Sequence, residues 1–330
     1  MTRTRFVVVG AGAIGGVVGA RLHQAGYDVL LVARGAHGAA IAERGLTIRD
    51  PAGSQTLRIP VVADAREVDY REGDVTLLAV KTQDTVGALA AVRAGGGAGH
   101  PIACLQNGVA NEPLALRVAS AVYAVAVMCP GEHLTPGEVA ASAAPKTGIL
   151  DLGRYPGAGA PDDGSDEVAE TIAAAFRDAG FLSEVVPDIS RVKYTKLLMN
   201  LGNAIQVLCG PDASGGDVYD ALLAEGREIL AAAGIGFDVA AEPRRTQMRT
   251  QPVAGQARRG GSTWQSVQRG LPTVETDYLN GEIVLIARGL GLAAPANQLM
   301  QELAATVAAG HLTPGSVTPQ EILARLHPRD

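Results

Sequence analysis

Hydrophobic and polar positions divide this chain into two regimes. Up to about residue 186, short apolar runs rich in β-branched residues alternate with helical patterns. Phe6–Val9, Asp28–Val32, Val75–Val80, Ile102–Leu105 and Val122–Met128 read as strands, and Glu138–Ala141, Gly148–Leu152 and Ser183–Val186 as further ones. Ile14–Ala25, His37–Arg44, a segment ending at Val92 and Glu167–Ala179 read as helices. Leu46–Arg49 and Thr56–Val62 flank Asp50-Pro51-Ala52-Gly53, which predicts a hairpin. Arg154–Asp166 and Gly95–Gly99 read as surface loops. After Pro187 the period becomes helical, with helices expected at 190–207, 217–233, 237–250, 262–269, 273–290 and 295–309. Strand–helix alternation implies a mostly parallel sheet covered by helices. The pattern therefore predicts two domains, 1–187 and 188–330, the second all-α.

The first strand and helix enclose Gly10-Ala11-Gly12-Ala13-Ile14-Gly15. Strand, glycine turn and helix in this order form the dinucleotide-binding fingerprint, so the α/β fold expected for the first domain is a Rossmann-type doubly wound sheet. The first glycine permits the turn, the second admits a pyrophosphate to the backbone, and the third lets helix and strand pack. The helix N-terminus offers free N–H groups and the positive end of its dipole. In domains that prefer NAD, a carboxylate about 20 residues further on binds the ribose 2′-hydroxyl. Here the second strand ends Leu31-Val32-Ala33-Arg34, with no acid. A guanidinium fork suits a 2′-phosphate, so Arg34 predicts NADPH.

Composition narrows the partners. A net charge of −6 and the lack of a basic block argue against nucleic acid. No run of 18 or more apolar residues suggests a membrane span. The basic start Met1–Arg5 before Phe6–Ala20 imitates a signal peptide, but cleavage would discard the glycine motif, so the segment reads as structure. Cys104, Cys129 and Cys209 form no CxxC pair, which fits a reducing cytoplasm and no zinc site. The six histidines, His23, His37, His100 and His133 among them, show no close pair in sequence, so neither a metal nor a histidine acid is expected. The apolar stretch Glu282–Ile286 suits either core or a homodimer contact.

Lys196 and Asn200 are four residues apart in an expected helix, and Asn203 is seven from Lys196, so all three would share one face. At this point the chain resembles the ketopantoate reductase (2-dehydropantoate 2-reductase) family, through six segments in family order. The GAGAIG turn resembles its NADPH loop. Ala79-Val80-Lys81-Thr82-Gln83 resembles a strand-end Val-Lys-x-x-Gln element, which places Lys81 and Gln83 by the cofactor. Cys104-Leu105-Gln106-Asn107-Gly108 resembles a Leu-Gln-Asn-Gly turn, which implies that Asn107 sits beside both nicotinamide and substrate. Lys196-Leu-Leu-Met-Asn200 resembles the element carrying the catalytic lysine. Thr273–Gly281 resembles Glu-x-Asp-Tyr-x-Asn-Gly, which makes Glu275 the active-site glutamate, and Gly291–Asn297 resembles Gly-x-x-x-Pro-x-Asn.

The resemblance implies NADPH-dependent reduction of a 2-keto acid, with Lys196 donating a proton to the ketone oxygen as hydride arrives at carbon. Asn107, Asn200 and Asn203 would orient the substrate, and Ser262 and Thr263 would bind its carboxylate. Lys193, one turn before Lys196, lacks the Leu-x-x-Asn context and is assigned to a solvated face. Departures cluster on the substrate side: Ala204 replaces a second asparagine, Thr263 replaces a serine, Trp264 is bulkier than the usual neighbour, and Ser266 stands where an aspartate is common. Ketopantoate is thus the leading substrate, another branched 2-keto acid the first alternative, and a non-catalytic NADP(H) sensor the second. The retained Lys196, Asn107 and Glu275 argue against a sensor.

Overall fold

A computed structural model describes residues 4–156, 166–213, 215–238, 243–255, 260–268 and 275–326. Along the chain the strands are β1 (Arg5–Val9), β2 (Asp28–Val32), β3 (Leu46–Asp50), β4 (Gly53–Leu57), β5 (Val61–Val62), β6 (Asp74–Leu78), β7 (Ile102–Cys104), β8 (Val122–Met128), β9 (Gly131–His133), β10 (Glu138–Ala141), β11 (Ala143–Pro145), β12 (Ile149–Arg154) and β13 (Met248–Thr250). The helices are α1 (Ala13–Gln24), α2 (Gly35–Arg44), α3 (Thr85–Ala94), α4 (Asn111–Ala115), α5 (Glu167–Asp178), α6 (Ile189–Asn200), α7 (Asn203–Cys209), α8 (Gly216–Ala232), α9 (Ser262–Gln268), α10 (Asn280–Gly289), α11 (Pro295–Ala308) and α12 (Pro319–Leu326).

The chain forms two units. The first holds residues 1–107, 111–190 and 240–258, and the second 108–110, 191–239 and 259–330. A single cut at 187/188 therefore misses two segments, 108–110 and 240–258. Residues 240–258 join the first unit because β13 pairs antiparallel with β11 and because Arg244 grips Asp151 of β12 at 2.5 and 3.1 Å. The helix expected over 237–250 is accordingly replaced by a short 3-10 turn, Pro243–Gln247, followed by a strand.

In the first unit a seven-stranded sheet runs β12-β8-β7-β6-β1-β2-β5. All neighbours are parallel except β12 against β8. Strands this apolar are stable only with both faces covered. One face buries Phe6, Val8, Leu31, Leu77 and Tyr123 with residues of α1 and α5, and the other buries Val7, Val9, Leu78 and Ile102 with residues of α3 and α4. The expected hairpin is real over β3 and β4, but Thr56–Val62 is not one strand. Val61 and Val62 leave the hairpin to pair with β2, and the Pro60 carbonyl accepts from Leu31 N–H at 2.9 Å. β3 and β4 belong instead to a four-stranded sheet, β4-β3-β10-β9, which packs on α1: a Cβ on Gly131 would lie 2.7 Å from the Ala13 carbonyl oxygen. The strand expected at Ser183–Val186 is reduced to single bridges from Leu182 and Val185 to β12.

The second unit is helical around a separate core of Leu197, Leu201, Leu208, Leu222, Leu230, Ile283, Met300 and Ala304. Ile283 and Val284 are inside this core, whereas Leu285 is exposed. The expected helix 190–207 is interrupted, because α6 stops at Asn200 and α7 starts at Asn203. Gly202 sits at the break, where a Cβ would lie 3.0 Å from the Tyr219 ring. Among the described residues, no helix is long and apolar enough to cross a membrane.

Candidate active site

The sheet order places four loops side by side. β7, β6, β1 and β2 are adjacent and parallel, so their carboxyl ends share one edge. That edge carries Asn107 after β7, Lys81 and Gln83 after β6, the Gly10–Gly15 turn after β1 and Arg34 after β2. Ligands of open α/β sheets bind at this edge.

The glycine turn has the shape its sequence requires. Gly10 has φ +100° and donates its N–H to the Val32 carbonyl at 3.0 Å. A Cβ there would lie 2.9 Å from Val80 N, and one on Gly15 would lie 2.1 Å from the Gly10 carbonyl oxygen. Both positions are closed by close packing. A Cβ on Gly12, by contrast, would meet nothing within 4 Å. Gly12 caps α1 without a side-chain hydrogen bond, and the first turn of α1 carries no acid. An open approach, N–H groups at a helix N-terminus and no local negative charge together fit a pyrophosphate.

Arg34 is the N-cap residue of α2, and its side chain is 84% exposed. Its guanidinium pairs with Asp84 at 3.1 Å. Asp84 is also the third residue after Lys81, the place of the glutamine in a Lys-x-x-Gln element; Gln83 is one residue early. Sequence reading therefore missed Asp84. The spacing could have found it.

The Gln106-Asn107-Gly108 turn is pinned from within the first unit. Gln106, buried, donates to the Val80 carbonyl at 2.9 Å and to Thr85 Oγ1 at 2.8 Å. Asn111 donates to the Asn107 carbonyl at 3.2 Å and to Thr82 Oγ1 at 3.3 Å, and accepts from Thr85 Oγ1 at 2.8 Å. These bonds tie the loop holding Asn107 to the segment holding Lys81. Gln106, Asn111, Thr82 and Thr85 thus position the site, and only Gln106 stood out in the sequence.

In the second unit, Lys196 and Asn200 lie one turn apart on α6, Lys196 half-buried and Asn200 7% exposed. Asn203 opens α7 beyond the break, so it does not continue their helical face. Lys193 corrects the sequence reading: it is buried, at 4% exposure, rather than on a solvated face. The Leu-x-x-Asn context that separated the two lysines could not see which side of α6 faces the core. Glu275 opens a 3-10 turn, Glu275–Tyr278, and is 8% exposed. Ser262 and Thr263 open α9. Thr263 is 2% exposed, and among the described residues its Oγ1 has no hydrogen-bond partner. Trp264 packs over Gly260, where a Cβ would lie 2.6 Å from the indole.

The remaining asparagines are structural. Asn280, fully buried, donates to the Leu201 carbonyl at 3.1 Å and to Asn297 Oδ1 at 3.0 Å. Leu201 lies in the α6–α7 break, so this bond serves a carbonyl left over where the helix is interrupted. Asn297 donates to the Leu222 carbonyl at 3.2 Å. Glu225 of α8 accepts from the backbone N–H groups of Ala296 and Asn297, each at 2.8 Å, and so caps α11. The fold nevertheless brings two histidines together that are distant in sequence. The rings of His37 and His133, 96 residues apart, meet at 3.0 Å because α2 packs beside the small sheet. Among the described residues, no third metal-ligating side chain joins them.

Comparison with known proteins identifies the family. Residues 6–157 match the family model "Ketopantoate reductase PanE/ApbA", and residues 188–308 match its C-terminal counterpart. The 2-dehydropantoate 2-reductase of Archaeoglobus fulgidus is 30% identical over 319 residues, covering 93% of this chain and 98% of that protein. That of Mycobacterium tuberculosis is 30% identical over 316 residues, covering 93% and 99%. Among solved structures, a ketopantoate reductase from Ralstonia eutropha superposes with TM-score 0.75 at 26% identity, covering 93% of this chain and 99% of that one. A D-mandelate dehydrogenase bound to NADH and anilino(oxo)acetate shares the fold, with TM-score 0.77 at 21% identity and coverage of 93% and 99%. Both halves of the chain match in order and nearly end to end, and the chain belongs to the ketopantoate reductase family of oxidoreductases.

Proposed function

We propose that this protein reduces 2-dehydropantoate to pantoate with NADPH, and that Lys196 is the general acid. The 2-dehydropantoate 2-reductases it resembles are named for this substrate. The observation that carries the reading on the substrate side is Thr263. A buried hydroxyl without a partner costs about 1–3 kcal/mol. A substrate carboxylate is an acceptor that would satisfy it. On the cofactor side, support comes from the open Gly12 backbone and from Arg34 in place of a carboxylate after β2.

A bound nicotinamide would supply hydride to the ketone carbon. Negative charge then builds on the ketone oxygen, and the Lys196 Nζ donates a proton there. General acids of this kind contribute about 10² to 10⁴ in rate. Asn107, Asn200 and Asn203 would orient the substrate, Ser262 would join Thr263 in binding its carboxylate, and Glu275 would accept from a substrate hydroxyl. Arg34 would receive the 2′-phosphate, Lys81 a phosphate oxygen and Gln83 the neighbouring ribose. Ala11, Ala13 and Ile14 contribute backbone alone.

The test follows NADPH oxidation by absorbance with ketopantoate, beside other branched 2-keto acids and an NADH control. Fast turnover on ketopantoate is expected. Turnover only on another acid would move the substrate assignment to that acid. Tight NADPH binding without turnover on any acid would overturn the reductase reading in favour of a sensor.

A further inference from the structure

Behind the glycine turn lies a polar cluster that the reaction does not use. His37, on the third residue of α2, makes three contacts through its two ring nitrogens. Nε2 lies 2.8 Å from the carbonyl oxygen of Ala11, the central residue of the Gly-x-Gly turn. Nδ1 lies 3.0 Å from Gly137 N and 3.0 Å from His133 Nε2.

These partners determine the tautomer. A carbonyl only accepts, so Nε2 carries the proton and donates to Ala11. A backbone N–H only donates, so Nδ1 accepts from Gly137. His37 is therefore neutral, and His133 turns its own Nε2–H toward it. Gly137 is itself fixed, since its carbonyl accepts from Thr47 N–H of β3 at 2.8 Å. The imidazole thus links the small sheet to the nucleotide turn. The turn is open on its Gly12 side, while Ala11 is buried at 2% exposure.

We propose that His37 is a positioning residue for the dinucleotide, holding the Ala11 peptide from behind so that the Gly10–Gly15 turn is ordered before nucleotide arrives. The inference rests on the cofactor reading above. It carries a pH dependence: a proton on Nδ1 would face the Gly137 N–H at 3.0 Å, donor against donor, and would break that bond. Burial holds the imidazole below its ordinary value, and the bond to Ala11 offsets this in part. The ionisable groups on the strands beside it are His133 and Glu132 of β9 and Glu138 of β10, and its own helix carries Arg34 at the N-cap and the paired Glu43 and Arg44 at the far end. Glu138 is paired with Arg49 at 3.0 Å and Arg34 with Asp84 at 3.1 Å. The sign follows: the bond from Gly137 that anchors the ring is present where His37 is neutral and is lost as pH falls through its depressed folded-state value.

The experiment compares wild type, His37→Ala and His37→Gln by amide hydrogen exchange without nucleotide, and by NADPH fluorescence titration between about pH 5 and 8. Gln keeps a donor for Ala11 and does not titrate. In H37A, exchange of the amides from Gly12 to Gly16 should rise while those of β8 stay unchanged. NADPH affinity should fall about fivefold to tenfold, the size of one lost hydrogen bond, with kcat within about twofold. H37Q should restore affinity and flatten its dependence on pH. Unchanged exchange of the turn in H37A would overturn the proposal, as would a wild-type pH profile in H37Q. The exchange result decides the proposal even if the wild type binds no nicotinamide nucleotide, an outcome that would fail the cofactor reading alone.

Discussion

The guanidinium of Arg34, at the end of β2, lies 3.1 Å from the carboxylate of Asp84, after β6. The arginine proposed to receive the 2′-phosphate is thus already engaged by an acid from the neighbouring loop. Their side chains are 84% and 40% exposed, so water screens the pair and its own contribution to stability is small. Its consequence is for selection. A 2′-phosphate must displace Asp84 or share the guanidinium with it, whereas a 2′-hydroxyl can donate to the same carboxylate. Asp84→Asn should raise the NADPH-over-NADH ratio of kcat/KM by about threefold, and Arg34→Ala should lower it by about tenfold, the screened end of a charge-assisted bond. Steady-state rates with both nucleotides check this; a lower ratio in D84N would reverse the assignment.

Replacing the proposed acid separates chemistry from binding. Lys196→Ala should lower kcat by about 10² to 10⁴, the usual range for a general acid, while the NADPH dissociation constant stays within about twofold. Single-turnover rates and fluorescence titration on the same sample measure both. Because Lys193 is buried in the same helix, Lys193→Ala is the needed control. It should act through thermal stability, since it removes a charged side chain from a packed interior. A K196A enzyme with wild-type turnover would sink the mechanism.

What could be read in advance was what depends on neighbours in sequence. Phe6–Val9 and the glycines after it identify a strand and a turn within fifteen residues, because the tight turn and the packing of helix on strand are local demands. Features that depend on partners far away were hidden. Val61 and Val62 look like the end of a hairpin strand and become the edge of the main sheet. The apolar pattern through 190–207 runs straight across the α6–α7 break, which exists because Gly202 meets the Tyr219 ring and Asn280 serves the Leu201 carbonyl. His37 and His133 form a contact only once β9 and α2 are in place. Lys193 and Lys196 differ by less than one turn, and burial of one could not be read without its neighbours.

Thr263 distinguishes a binding hydroxyl from a packing one. If its Oγ1 serves only the fold, Thr263→Val removes an unsatisfied buried polar atom and should raise the melting temperature with no kinetic effect. If it donates to the substrate carboxylate, T263V should raise the ketopantoate KM about tenfold, since bonds to charged groups contribute about 1.5–3 kcal/mol. The second outcome is expected, together with an equal or higher melting temperature of the free protein. Thr263→Ser should keep KM near wild type.

Arg244 tests the attachment of residues 240–258 to the first unit. Its guanidinium holds Asp151 of β12 bidentately at 2.5 and 3.1 Å and reaches Glu184 at 3.1 Å. Asp151 is 5% exposed at its side chain, and burial raises its carboxyl above the ordinary value while Arg244 pulls it back. Removing the arginine leaves a buried carboxylate with less compensation, so Arg244→Met should destabilise the protein by about 3 kcal/mol at neutral pH. The sign with pH is definite. Without Arg244 the folded-state value rises further above the unfolded one, so the folded form binds a proton more readily than the unfolded chain. The penalty is then full above the folded-state value and shrinks as pH falls through it. Denaturant melts of wild type and R244M at about pH 8 and pH 5 should therefore converge at the lower pH. In Asp151→Asn, where no buried carboxylate remains to be stranded, adding R244M should cost markedly less than it does alone. Equal costs in both backgrounds would show that Arg244 stabilises through Glu184 or through packing instead.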